Sequence, residues 1–150
     1  MMLDSGVMTT NKDNKQLEMV EFKLGEKTFG VKLELVKEII HAKPITAIPK
    51  SNPLVSGLVE IQGKAIPVIN IEKVSGETAI FNPKFEKMIV IQLKEYSFVL
   101  RVEQVIEVRT IDQPNLKEEE HEFVTYTVER ESNPLYIMDL DRIVHFITAN

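Results

Sequence analysis

The chain contains no cysteine and no tryptophan among its 150 residues. Without cysteine there is neither a disulfide framework nor a thiolate metal site, and the composition fits a reducing, cytoplasmic setting. No apolar run approaches the ~20 residues a helix needs to cross a bilayer, so no membrane insertion is expected. Residues 1–16, MMLDSGVMTTNKDNKQ, lack the basic start and sustained apolar stretch of a signal peptide and are expected to be a disordered tail. Glycine is scarce, at six residues, and none forms a phosphate-cradling loop, so no cofactor is expected. Basic residues number 18 against 23 acidic ones, for a net charge of −5. That balance repels phosphate backbones, and no local basic patch offsets it, so nucleic acid is not an expected partner.

Catalytic signals are equally sparse. The three histidines, His41, His121 and His145, lie in no zinc-protease helix motif and beside no nucleophile motif. The run Glu118, Glu119, Glu120, His121, Glu122 offers hard-cation or zinc ligands by type, but consecutive side chains do not converge on one point. A solvated acidic loop is the expectation. Asp139 and Asp141 could be imagined as an acid–base pair; the start of a final helix, where side-chain oxygens cap free N–H groups, accounts for them better.

What the sequence does contain is a repeat. MVEFKLGEKTFGVKLELVKEII from Met19 aligns without a gap on MIVIQLKEYSFVLRVEQVIEVR from Met88, an offset of 69 residues with seven identities, among them Phe29/Phe98, Val36/Val105 and Glu38/Glu107. The offset recurs where IPVINIEKV from Ile66 meets LYIMDLDRIV from Leu135, pairing Asn70 with Asp139. Two matches at one offset imply a duplicated unit. The copies are read as residues 18–75 and 87–144, each of about 60 residues and too small to bury an adequate core alone, so a shared core is expected.

Period-two alternation predicts the strands. Val20, Phe22 and Leu24, a turn at Gly25-Glu26-Lys27, then Phe29, Val31 and Leu33 describe a hairpin with one dry face. The spacing of Leu35, Val36, Ile39 and Ile40 suits one or two helical turns, while their β-branched content suits a strand. Pro44, Pro49 and Pro53 prescribe a loop. Two strands around Gln62-Gly63 follow, with Pro67 confined to an edge, a strand start or a bulge. In the second copy Ile89, Ile91 and Leu93 face a core, and Val90 on the other face suggests a strand covered on both sides. A short helix closes the chain.

FKLGEKTFGV, the following VKEII, and ITAIPKSNPLVSGLVEIQGKAIPVINI together resemble the CheW-like domain of bacterial and archaeal chemotaxis, from about Val20 through Val144. Order and spacing of Pro49, Gly57, Gly63 and Pro67 carry the strongest part. The resemblance implies a mainly β fold of two small five-stranded SH3-like β-barrels on a shared hydrophobic core with short helices, as one domain over residues 17–148. It implies a non-catalytic adaptor, with no metal, that couples the cytoplasmic tips of methyl-accepting chemoreceptors to the regulatory domain of the histidine kinase CheA. By the same resemblance, Val20, Leu33, Val36, Ile39 and Val102 form an apolar receptor-binding groove between the barrels, with Glu38, Gly57, Gln62 and Gly63 at its rim or facing the kinase. The family usually carries arginine where this chain has Gln62, and often glycine and aspartate where it has Val99 and Glu103. Ordinary core packing is the alternative for the five apolar positions, a solvated face for Glu38, and a backbone requirement for Gly57. A divergent scaffold for another receptor–kinase array, or a small β-barrel peptide-binding module, fits the same residues.

Overall fold

A computed structural model describes residues 16–48, 52–112, 116–118, 121–130 and 132–148. Residues 1–15 of the expected tail, Pro49 of the loop, and Glu119 and Glu120 of the acidic run lie outside the described residues. Gln16, expected in the tail, instead begins a strand, and its amide donates to Asp112 Oδ1 at 3.3 Å.

The alternating segments form the strands they predict, except that the first hairpin's second strand stops at Lys32 and Leu33 opens a 3-10 turn. β1 (Gln16–Leu24) and β2 (Lys27–Lys32) make the first hairpin. One 3-10 turn, Leu33–Leu35, leads into β3 (Val36–His41). The segment that suits either helix or strand is therefore strand, preceded by a single helical turn; its β-branched side chains fit a pleated surface. β4 (Val55–Ile61), β5 (Lys64–Ile69) and a short α1 (Ile71–Ser75) complete the first copy. The second follows as β6 (Lys87–Leu93), β7 (Tyr96–Val102), β8 (Gln104–Asp112), β9 (Leu116–Glu118), β10 (Val124–Val128), β11 (Leu135–Met138) and α2 (Leu140–Thr148). Asn70 caps α1 and Asp139 caps α2, accepting from Arg142 N at 2.9 Å, so the paired positions of the repeat do the same work.

Two sheets result. Sheet A has the order β9, β10, β11, β2, β1, β8, and sheet B the order β3, β6, β7, β5, β4. Both orders are open, with no pairing between their end strands among the described residues. The sixth strand of sheet A is the three-residue β9; on the matching side of sheet B a single bridge, Thr46 to Leu58, takes its place.

Neither copy of the repeat builds a sheet of its own. Hairpin β1–β2 joins β8 to β11 of the second copy, and hairpin β6–β7 joins β3 to β5 of the first. The pairing keeps the 69-residue offset throughout. Val20 opposes Val31 and Val108, while Ile89 opposes Leu100 and Ile39. The parallel contacts Gly30 to Ile137 and Val99 to Val68 match as well, and so do the bulges at Val124/Tyr126 and Val55/Gly57. Pro67 lies within β5 but precedes Val68, where pairing with β7 begins, so its missing N–H faces only one partner strand.

The exchange produces three apolar clusters. One fills sheet A with Met19, Ile111, Val128, Leu135 and Ile137; another fills sheet B with Val59, Ile66, Val68, Met88, Val90 and Val99. The largest lies between the sheets, where Val20, Phe22, Phe29, Ile89, Ile91 and Phe98 meet with both helices. Both exchanged hairpins are thus covered on two sides, as the position of Val90 implies. Each side chain buried there contributes about 1.5–3 kcal/mol before its entropy cost.

Sheet A departs from this apolar scheme most sharply at a buried carboxylate. Glu21, 2 % exposed, stands where the repeat has Val90. Arg130 Nη1 donates to both its oxygens at 3.0 and 2.9 Å, and Arg109 Nε lies at 3.1 Å. A hydrogen bond from Arg109 to Glu107, then the charge of Glu21, raise the proton affinity of the Arg109 guanidinium. The buried carboxylate therefore ties β1, β8 and the β10–β11 connection together.

Phe98→Ala and Phe29→Ala are each expected to cost about 3–5 kcal/mol in urea denaturation, whereas Ile80→Ala, at a side chain 80 % exposed, should stay within about 0.5 kcal/mol.

Candidate functional site

The chain crosses from sheet A to sheet B through the 3-10 turn, closed by the Val36 amide on the Leu33 carbonyl. Leu33, Leu35 and Val36 consequently straddle the seam, packed on the shared core yet partly open to solvent. Among the described residues β3 is an edge strand paired only to β6, and a bulge between Val36 and Glu38 shifts its register. The shift matters. It sets Val36 opposite Ile91 and Ile39 opposite Ile89, so two residues three apart share the face that points to the seam. Ile39 is 39 % exposed there.

Val20 and Val102 are placed differently from the accessible groove positions expected of them. Both are fully buried, because β1 and β7 are interior strands covered on each face. They form the floor beneath the seam, and the aliphatic surface open to solvent above it consists of Leu33, Val36 and Ile39, with Leu35 added by the turn. In the sequence Leu35 is one position of an amphipathic pattern; only the change from helix to single turn reveals its place here.

Glu38 faces the other side of β3, opposite Val90. It lines a small cleft of about 80 Å³ with Lys37, Gln62, Lys64, Gln92 and Ser97 above Ile61, Ile66 and Val90. Gln62 and Gly63 both have positive φ, 53° and 81°, as the two central residues of a tight hairpin turn require. The structure thus brings Glu38 and Gln62 together, but behind the seam; no ion pair or hydrogen bond joins them among the described residues. Ser97 Oγ donates to Gln92 Oε1 at 2.5 Å, and Gln92 Nε2 to Lys94 O at 2.7 Å, closing the far wall.

Gly57 has a backbone reason. A Cβ there would lie 2.5 Å from the Thr46 carbonyl oxygen and 2.6 Å from Ile45 Cγ2. Only glycine lets the proline-rich loop lie against β4 and form the reciprocal 2.8 Å bonds between Thr46 and Leu58.

A cavity of about 450 Å³ opens on the sheet A side of the turn, between Leu17, Lys32, Leu35, Tyr126 and Leu140. Glu118, His121, Glu122 and Asp139 border a shallower one with Arg142. Among the described residues no three acidic or histidine side chains are grouped to hold a metal ion, and the Asp139 carboxylate is engaged as the α2 cap. No helix among the described residues is long and apolar enough to cross a membrane. The Glu21 cluster escapes a reading of the sequence, although a carboxylate repeating as valine is a visible signal.

The CheW-like domain family model matches residues 18–147. The chemotaxis protein CheW of Thermotoga maritima is 25 % identical, over 90 % of this chain and 92 % of its own length. The CheW of Treponema pallidum is 33 % identical over a shorter stretch, 41 % of this chain and 36 % of that one. The crystal structure of the scaffolding protein TtCheW from Thermoanaerobacter tengcongensis superimposes with a TM-score of 0.76 at 24 % identity, covering 87 % of this chain and 89 % of that one; at that identity the likeness speaks for the fold.

Gly57→Ala is expected to lower stability by about 1–3 kcal/mol through overpacking, and to strip hydrogen-exchange protection from the Thr46 and Leu58 amides while Val20 and Ile89 keep theirs.

Proposed function

The chain belongs to the CheW-like domain family and is a chemotaxis coupling adaptor, and from that premise we propose that it joins the cytoplasmic tips of methyl-accepting chemoreceptors to the regulatory domain of the histidine kinase CheA. The observation that carries this reading is the partly open aliphatic surface of Leu33 and Val36 where the two sheets meet, continued along β3 by the exposed Ile39 opposite Ile89. A helical tip laid there would bury those side chains over a floor already packed by Val20 and Val102, so docking would cost little rearrangement of the core.

In this reading the adaptor works by association alone and performs no reaction. It sits in the cytoplasm and reaches the membrane only through the receptors it holds. The polar cleft around Glu38 and Gln62 lies on the opposite face of β3, which suits it to a second partner, the kinase. One strand then separates the two contacts. Weak individual contacts suffice in an array, because neighbouring sites raise the effective concentration.

Val36→Asp and Ile39→Asp are each expected to weaken binding of a receptor-tip fragment by about tenfold or more in titrations followed by NMR, because a carboxylate covered by an apolar helix loses its hydration with no partner to replace it. Glu38→Ala should leave that affinity within about twofold. A Val36→Asp protein that loses its cooperative melt would place Val36 in the core; wild-type protein that shifts with neither receptor nor kinase fragments would remove the proposal.

A further inference from the structure

Each sheet ends in the third strand of one repeat copy, β3 in sheet B and β8 in sheet A. These two edges are related by the 69-residue offset and carry equivalent bulges, one between Val36 and Glu38 and one beside Val105. The seam-facing Ile39 of β3 corresponds to Val108 of β8. Beyond its bulge β8 pairs regularly with β1, from Glu107 to Asp112, and among the described residues its outer edge pairs with nothing. Ile106 and Val108 are 45 % and 52 % exposed on this strand. A free edge with apolar side chains is a template for another strand.

The charges indicate which strand. Glu107 and Arg109 flank Val108 symmetrically, each with its side chain about half exposed. Among symmetric antiparallel registers of β8 against a copy of itself, centring on Glu107 or Arg109 sets like charges face to face. Centring on Ile106 or Thr110 leaves Glu107 or Arg109 opposite an aliphatic residue. Centring on Val108 alone pairs Val108 with its counterpart, each Glu107 with an Arg109, and each Ile106 with a Thr110. Opposite-charge and β-branched cross-strand pairs both stabilise such a ladder. β3 has no equivalent: centred on Ile39 it would set Glu38 against Ile40.

We propose that β8 is a self-association edge, on which a second copy of this chain adds its own β8 antiparallel, in the register centred on Val108, to make a twofold dimer with a continuous sheet across both molecules. The contact is isologous and closes on itself, so it stops at two copies and does not grow into a fibre. Arg109 keeps its bond to the buried Glu21 and exchanges Glu107 of its own chain for the partner's. This inference is independent of the coupling function, and its test uses the purified chain alone.

Because the chain has no cysteine, introduced ones report the register cleanly. In the proposed pairing the two Cα atoms at position 108 lie about 4.5–5.5 Å apart, inside the disulfide range of about 4.4–6.8 Å, whereas two copies of position 106 are offset by about 13 Å. Val108→Cys should therefore give a covalent dimer in an oxidising glutathione buffer. Ile106→Cys and Thr110→Cys should stay monomeric separately and cross-link when mixed. Wild-type protein should show a concentration-dependent monomer–dimer equilibrium in sedimentation, weakened about fivefold or more by Glu107→Lys. A wild-type chain monomeric up to several hundred micromolar overturns the proposal and leaves the edge to a different strand. Equal cross-linking at all three positions overturns the register, and with it the assignment of β8. The sedimentation result stands even if a cysteine variant fails to fold.

Discussion

The fold depends on one requirement: the two hairpins lying side by side at the centre must be buried on both faces. In β1 and β2, and again in β6 and β7, one face fills the interior of a sheet and the other fills the seam between sheets. A hairpin with a single dry face would leave either a sheet hollow or the seam wet. Much else follows from this double burial. It explains why copies of about 60 residues coexist as one body, and why Glu21, a buried charge within a hairpin, needs two guanidinium groups to lie there.

The same requirement creates the candidate groove. Because the seam is a core that runs out to the surface, the strand crossing its mouth presents aliphatic side chains that are neither fully buried nor free. Leu33 and Val36 occupy that position, and Ile39 continues it along β3. The bulge in β3 converts a strand that would have alternated into one with two seam-facing residues three apart. In the proposed reading, function resides in how an edge strand meets a core. Polar groups of the second face are kept apart from it by the thickness of one strand.

Much of this was legible in the residues. Identities at a constant offset exposed the duplication, and alternation exposed the hairpins, since both signals are local. Pro67 and Gly63 declared their places because each restricts the backbone in a known way. Other features depend on distant partners. Alternation shows that a strand has a dry face but does not say which strand lies beside it, so the exchange of hairpins was invisible. The β3 segment was ambiguous because a bulge mimics helical spacing: Val36 and Ile39 fall on one face in both cases. Val20 and Val102 are apolar in a buried floor and would be apolar in an open groove, and no pattern separates the two. Arg130 meets Glu21 from far along the chain, beyond any periodicity.

The crossing of hairpins between halves also bears on ancestry. A molecule with only one copy of the repeat would possess a β1–β2 type hairpin with no sheet of its own to enter, and an open sheet lacking its middle. Such a molecule completes itself only by trading hairpins with a twin, two chains clasped like folded arms. Joining the twins end to end would then fix the clasp permanently and free each half to drift alone, so that a valine in one could become a carboxylate in the other.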